Sequence, residues 1–313
     1  MKDKSDDPWN RDAWIEKLAW SRKSMWLTDT LDRLAVWMGL KPGLTAVDVG
    51  CGLGYLGYTY WPYFGKGGRY FGLDSAEKAI ANAARASGGW VVDGEAHFIQ
   101  GDAYALPLPD GLADWVMCQA LLVHLKDPEC ALAEMIRVAK PGGLITCLEI
   151  EEFSSWWAQG HISLPELDLE EQLLVMKGAL LYNRGRIKLG RGDIGIAPTI
   201  PAIMQRLGLR DIDVRTNDLP FYLLPPYEGQ IQQDQLHKLR RFLDEQAYQR
   251  WKEREKEAFL AAGGDADEYE RYSNLSNRAA LLIREQIENG EFSACRVNHF
   301  YIIKGRTQVH LNR

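Results

Sequence analysis

Glycines crowded behind an acidic strand, single aspartates at the ends of short apolar runs, and isolated histidine and cysteine side chains are the residues of this chain that could do chemistry. The glycines fall in Val47-Asp48-Val49-Gly50-Cys51-Gly52-Leu53-Gly54-Tyr55-Leu56-Gly57. Thr45 to Val49 is a β-branched run that stops abruptly at glycine, and glycine permits positive φ and lets a ligand approach the backbone. A nucleotide can sit there. Gly52, Gly54 and Gly57 also spell the six-residue dinucleotide fingerprint, with Asp74 about twenty positions on, so the letters alone suggest two different cofactors. The five cysteines, Cys51, Cys118, Cys130, Cys147 and Cys295, are odd in number, widely spaced and without a Cys-x-x-Cys pair. They indicate neither a disulfide framework nor a zinc site, and they read as buried thiols of a reducing compartment. His124 is suited to proton transfer, with a purely structural role as its alternative.

The elements that must position these residues alternate. After Thr45–Val49 come a helix from about Gly54, a strand over 69–74, and a helix opened by Ser75 with Ala79, Ile80, Ala83 and Ala84 on its apolar face. Strands follow over 97–100 and 114–119, then a helix around 131–138 and a strand over 144–151. This is βαβ grammar, and it implies a parallel, doubly wound sheet. Asp48 and Asp114 read as structural, anchoring the glycine turn and the fourth strand. Residues 9 to 40 hold Trp9, Trp14, Trp20, Trp26 and Trp37 on two predicted helices, the second closed by Gly39 and Pro42. Those tryptophans either fasten a helical arm to the core or form an aromatic lid over the site.

Beyond Glu151 the alternation breaks. A helix over 169–182 follows Trp156-Trp157 as an insertion over the sheet, a helix over 199–207 ends at Gly208, and 211–217 reads as a sixth strand. Two apolar helical faces, one through Leu236, Leu239, Leu243 and Ala247 and one through Tyr272, Leu275, Ala279 and Leu282, predict a helical hairpin about Gly263-Gly264. Residues 296–304 read as the last strand. The expected segments are 1–44, an N-terminal arm or lid; 45–151, the nucleotide-binding core; 152–190, a helical cap; 191–220, a core helix and strand; 221–293, the hairpin; and 294–313, the final strand and tail.

At 313 residues with 46% apolar and 26% charged side chains, the composition is that of an ordinary globular protein. The net charge of -6 argues against general binding to nucleic acid or anionic membranes, which needs clustered cations. Met1 to Pro8 has no apolar leader run and no stretch of about eighteen apolar residues occurs, so a cytoplasmic location without stable membrane insertion is expected.

The glycine series separates the two cofactors. In the dinucleotide fingerprint the strand runs straight into the first of its glycines, whereas here it reaches Gly50 two residues early and carries Asp48 within it. Val-Asp-Val-Gly-Cys-Gly-x-Gly resembles the first motif of the class I S-adenosylmethionine-dependent methyltransferases. Tyr70-Phe71-Gly72-Leu73-Asp74, Gly101-Asp102-Ala103, Leu106-Pro107-Leu108-Pro109-Asp110, Asp114-Trp115-Val116 and Lys140-Pro141-Gly142-Gly143 follow in the family's order over residues 40 to 150, in the manner of its quinone-biosynthesis and other small-molecule members. The resemblance implies a Rossmann-like α/β fold with a mostly parallel sheet of about seven strands, a helical N-terminal arm and helical insertions. It also implies that Gly50, Cys51, Gly52 and Gly54 pass under the methionine part of the cofactor and that Asp74 accepts from both ribose hydroxyls. Asp102 and the Ala103 amide would recognise adenine, and Gln119 would lie near the sulfonium. His124 sits where that subgroup often has histidine and is the base candidate.

The activity so implied is methyl transfer from S-adenosylmethionine, leaving S-adenosylhomocysteine, by in-line displacement and without a metal. The acceptor expected is a small hydrophobic or aromatic molecule in a pocket that includes Trp26, Trp156 and Trp157, and a homodimer is compatible with the chain. A nicotinamide-dependent oxidoreductase and a non-catalytic S-adenosylmethionine-binding or interaction protein stand as alternatives.

Overall fold

Strand β1 (Thr45–Val49) is buried along its whole length near the middle of a seven-stranded sheet. The structure, a computed structural model, describes residues 15, 18, 26–151, 161–217, 220–296 and 300–309. Parallel to β1 run β2 (Arg69–Asp74) and β4 (Ala113–Gln119), with β3 (Glu95–Gln100) outside β2 and β5 (Ala139–Ile150) outside β4. Strand β10 (Phe300–Arg306) then enters between β5 and β7 (Arg210–Thr216), antiparallel to both. The order β3-β2-β1-β4-β5-β10-β7 reverses direction at β1, the switch point of a doubly wound sheet.

Strand periodicity divides the core between the two faces of the sheet. Val47, Val116 and Ile303 join one apolar cluster and their neighbours Ala46, Trp115 and Ile302 the other. On the first face lie helix α4 (Pro128–Val138) and helix α6 (Ile200–Arg206). On the second lie α1 (Thr28–Met38) and α2 (Tyr55–Phe64), where Trp115 meets Tyr60 and Phe64 edge-on at 5.7 and 5.6 Å and its indole N–H donates to Thr146 Oγ1 at 2.8 Å. Helix α3 (Glu77–Ser87) carries Ala79 and Ala83 buried beside the β2–β3 edge.

Gly39 closes α1 in the left-handed conformation, φ 72°. Trp37 secures this helix to the far edge of the sheet: its indole N–H donates to Asp213 at 2.7 Å, and the Lys304 ammonium lies 4.3 Å from its ring centre. The earlier arm tryptophans, Trp9, Trp14 and Trp20, lie outside the described residues.

Past β5 the structure departs from the sequence expectations in three places. Helix α5 (Leu169–Lys188), opened by an Asp168–Glu171 capping box, runs six residues beyond Tyr182, because Gly185 is held inside the helix by close packing on Ala258 and does not end it. The expected hairpin consists of three helices, α7 (Gln230–Phe242), α8 (Glu245–Ala261) and α9 (Ala266–Asn289). The break between α7 and α8 is made by Asp244, whose carboxylate accepts from the Ala247 amide at 3.1 Å. Finally, the strand expected over 296–304 is divided. Ala294–Arg296 (β9) pairs with β6 (His161–Ile162) and β8 (Phe221–Leu223) in a separate antiparallel sheet, and β10 begins only at Phe300.

Glycine lets α5 approach α8 and α9 closely. A Cβ on Gly185 would run into the carbonyl of Ala258, and one on Gly178 would stand 2.6 Å from the Tyr272 ring. Beneath them Phe259, Tyr269 and Tyr272 form a buried cluster against Leu174, Val175 and Leu181. Lys252, inside this layer, donates to Glu255 at 2.6 Å, and Glu255 also accepts from the Tyr272 hydroxyl at 2.6 Å, so the buried ion pair is satisfied on both sides. Tyr182, one turn along α5, belongs instead to the core on the first face of the sheet, so the helix bridges the two layers.

Candidate functional site

The parallel strands end on one edge of the sheet, and the loops leaving that edge carry the expected site residues. β1 ends at Val49 and is followed by Gly50, Gly52 and Gly54 at φ 71°, 54° and 74°, all in the region that side chains disfavour. The Cys51 amide donates to Leu73 O at 2.8 Å and the Gly54 amide to Cys51 O at 2.8 Å, which folds the loop back on itself. α2 then starts at Tyr55, with its N-terminus at the loop.

Asp74 ends β2 and reaches under this loop. Its Oδ2 accepts from the Gly52 amide at 2.8 Å, and its Oδ1 accepts from the Ala76 amide at 2.9 Å. A carboxylate offers about four lone-pair positions, so these bonds do not by themselves preclude added hydroxyl partners. The next strand end is tied to the same point, because the Gly101 amide donates to Asp74 O at 3.0 Å. Asp102 forms a tight turn there: its Oδ1 accepts from the Tyr104 amide at 2.9 Å and its carbonyl accepts from Ala105. Asp102 is exposed and Ala103 half-buried.

Gln119 ends β4, buried at 7% exposure, and joins Asp48, Gly50, Cys51, Gly52, Leu53, Tyr55 and Leu56 around an open cavity. Leu18 of the N-terminal arm lines it too, and would lie 3.3 Å from a Cβ placed on Gly52. The structure thus brings Gly50, Cys51, Gly52 and Gln119 to one cavity, with Asp74 bonded to its floor. Gly54 packs away from it, its Cβ position 3.1 Å from Phe98. Trp26 packs edge-on against Phe300 at 5.7 Å and does not line the cavity. Trp156 and Trp157 lie outside the described residues.

Burial, reinforced by the charges of Asp48 and Asp74, pushes the Cys51 thiol well above its usual range, so this cysteine is a neutral wall. Burial does the same to Tyr70, whose hydroxyl donates to Asp48 at 2.7 Å. Asp48 stands at the base of the loop, bonded to Tyr70 and bordering the cavity. Asp114 holds the other end of β1 and β4, accepting from the Thr45 amide at 2.9 Å and from Lys140 at 2.7 Å. Among the described residues no group of three or more His, Cys, Asp or Glu is arranged to hold a metal ion.

Sequence reasoning missed Glu149. This fully buried residue near the end of β5 accepts through Oε1 from the amides of Leu121 and Leu122 at 2.9 and 2.8 Å, and through Oε2 from Val123 at 3.4 Å. It thereby fixes the turn after β4. Ala120, at φ 49°, starts that turn, Leu121 stands over Gly50 with Cδ1 2.8 Å from a Cβ placed there, and the half-buried His124 ends it. The signal was available: an acidic residue between Leu148 and Ile150 in an apolar strand must find donors. From the cap side, Arg186 donates to Val123 O at 3.3 Å, so α5 and Glu149 grip the same turn.

A family described as a methyltransferase domain matches residues 47–147. An uncharacterized 37.1 kDa protein in transposon TN4556 of Streptomyces fradiae is 34% identical over 172 residues, covering 52% of this chain and 46% of that protein. The demethylmenaquinone methyltransferase of Desulfitobacterium hafniense is 36% identical over 110 residues, covering 35% of this chain and 44% of that one. The chain thus spans about half the length of the curated relatives it matches. Among solved structures, the YcgJ protein of Bacillus subtilis superposes with TM-score 0.50 at 18% identity, covering 90% of this chain and 99% of that one. Phosphoethanolamine N-methyltransferase 2 of Haemonchus contortus gives TM-score 0.50 at 18% identity over 97% of this chain and 59% of that one, a likeness of fold alone. The strand order, the glycine loop and the family match over residues 47–147 together support a class I S-adenosylmethionine-dependent methyltransferase domain in this chain.

Proposed function

We propose that this protein transfers a methyl group from S-adenosylmethionine to a small apolar or aromatic acceptor. The observation that carries the reading is the left-handed glycine loop tied through the Gly52 amide to Asp74, beside a cavity walled by Gln119. The residues present suit the cofactor: side chains on Gly50 or Gly52 would fill the floor of the cradle, and a strand-end carboxylate and a turn aspartate stand at neighbouring strand ends. Gly50, Cys51 and Gly52 would hold its methionine part, Asp74 its ribose, Asp102 and Ala103 its adenine, and Gln119 its charged end, with Gly54 turning the loop beneath them. When bound, the cofactor supplies an electrophilic methyl group on a cationic sulfur.

The protein's own contribution is alignment and exclusion of water, which together supply roughly 7–11 kcal/mol of a barrier at best. Leu18 closes the cavity from the arm side, in keeping with residues 1–44 acting as a lid and 45–151 as the binding core. His124 is assigned the role of proton acceptor for an acceptor hydroxyl, positioned by the turn that Glu149 holds. An apolar ring as acceptor is supported by the names of several relatives, demethylmenaquinone methyltransferases, and by the aromatic content of the arm and of Trp156-Trp157. The 152–190 segment would cap that acceptor.

The test is thermal stabilisation by S-adenosylmethionine, S-adenosylhomocysteine and NAD(P), because a ligand that binds only the folded state raises the melting temperature. The first two are expected to stabilise the protein and NAD(P) is not; stabilisation by NAD(P) alone refutes the reading. Asp74→Asn is expected to weaken S-adenosylmethionine about 10- to 100-fold, roughly 1.4–2.7 kcal/mol. Unchanged affinity removes Asp74 from the site.

A further inference from the structure

Helix α5 turns an apolar stripe to solvent. Leu169, Leu173, Met176, Leu180 and Ile187 are 69%, 50%, 43%, 41% and 50% exposed. At 3.6 residues per turn they fall within about 60° of arc, along a helix of roughly 30 Å. The helix is already seated through its opposite face, where Gly178 and Gly185 meet Tyr272 and Ala258, so the stripe is not needed to hold it down. Five large apolar side chains in one line are more than scattered surface residues require an explanation for, and such a line marks a contact.

The charges beside the stripe choose the occupant. One flank carries Glu170, Lys177, Arg184 and Lys188, acidic at the start of the helix and basic at its end. The other carries the neutral Gln172 and Asn183. Glu170, Arg184 and Lys188 are exposed and make no ion pair among the described residues, whereas Lys177 is held by Glu268 at 2.6 Å. A two-fold axis perpendicular to the helices sets the charged flank of one copy beside the charged flank of the other, running in the opposite direction. Glu170 then faces Arg184 of the second copy, the same pair recurs across the axis, and Leu173 and Leu180 stack at the centre. A parallel pairing would set the charged flank against the neutral one and gain nothing.

We propose that this stripe binds a second copy of the chain, α5 against α5 in antiparallel register centred near Met176 and Lys177. One pair of helices this long gives a contact at the small end of specific interfaces, so the dimer is concentration-dependent, with dissociation in the micromolar range, about 1–100 μM. Because Arg186 of the same helix grips the Val123 carbonyl, dimerisation also steadies the turn that ends in His124.

The experiment is sedimentation velocity of the full chain across that range, with circular dichroism to show that each variant folds. Wild type is expected to shift from the mass of one chain to that of two. Leu173→Glu with Leu180→Glu, both already half in solvent, is expected to weaken association at least about 100-fold. Glu170→Lys and Arg184→Glu alone are each expected to weaken it about 10-fold, and the two together to return within about 3-fold of wild type. A chain that stays monomeric at the highest concentration, a dimer indifferent to the Leu173/Leu180 pair, or a charge swap that fails to recover each overturns the proposal. Flotation of a monomeric chain with phosphatidylcholine vesicles, lost in the Leu173/Leu180 pair, would overturn it in favour of a lipid surface.

Discussion

Replacing Glu149 with alanine tests whether one buried carboxylate builds the turn beside the glycine loop. The change removes the acceptor of two short amide bonds, from Leu121 at 2.9 Å and Leu122 at 2.8 Å, and of a weaker one from Val123 at 3.4 Å. Leu122 and Val123 are buried, so their amides are poorly placed to exchange the carboxylate for water. At about 1–3 kcal/mol for each of the two short bonds and about 1 kcal/mol for the cavity, the expected loss is roughly 3–7 kcal/mol. Glu149→Gln separates the hydrogen bonds from packing. Both short bonds converge on Oε1, which the amide oxygen replaces, while the NH₂ group meets the Val123 amide donor to donor, and about 1–2 kcal/mol is expected. Urea unfolding at constant m-value measures both variants. A Glu149→Ala loss below about 1 kcal/mol, or a Gln variant as damaged as the Ala variant, would refute the reasoning. Because Leu121 stands directly over Gly50, affinity for S-adenosylmethionine should fall with the stability of the turn in the Gln variant too.

Asp114 gives a pH-dependent test. Burial opposes its ionisation, but the bonds from Lys140 and the Thr45 amide outweigh that and hold its carboxyl below the ordinary 3.8. A carboxyl lowered on folding contributes stability above its unfolded value and loses it as the pH falls through the folded one. Asp114→Asn should therefore cost about 1 kcal/mol in unfolding free energy at neutral pH, and the difference from wild type should shrink as the pH falls below 3.8 through the lowered folded value. Within the helical layer, Lys252→Met strands the Glu255 carboxylate and is expected to cost about 3–5 kcal/mol, of which adding Glu255→Gln should restore at least half. Chemical denaturation of the single and double variants measures the difference, and a single variant close to wild type would show that the pair is not coupled.

What the sequence made legible follows from how far its signals extend. β1 with its glycines, β2 ending in Asp74 and β4 ending in Gln119 are each a run of apolar residues closed by a residue with a distinct physical role, and each boundary agrees with the structure to within a residue. The small sheet was not legible because β6, β8 and β9 are two or three residues long, too short for alternation to register, and are made by pairing between residues 71 to 134 positions apart. The α7–α8 break was missed because attention to Gly263-Gly264 passed over a quieter stop, an aspartate capping the amide three residues on. Glu149 was missed for a different reason. Asp48 drew notice by preceding glycines, whereas Glu149 lies inside an unbroken strand and its donors come from a turn some 26 to 28 residues earlier, a spacing no local motif encodes.

Strand β10 has a consequence for the order in which the molecule can be made. β5 and β7 do not pair with each other; residues 300–306 pair with both, on the side of β5 that β4 leaves open. Synthesis therefore leaves the outer side of β5 without a partner while roughly 150 further residues are added, a wait of about 8–30 s at 5–20 residues per second. For that interval a long, apolar strand edge stands open to neighbouring nascent chains. The parallel half of the sheet can assemble while translation continues, but the sheet is closed only by the arrival of its last-made strand.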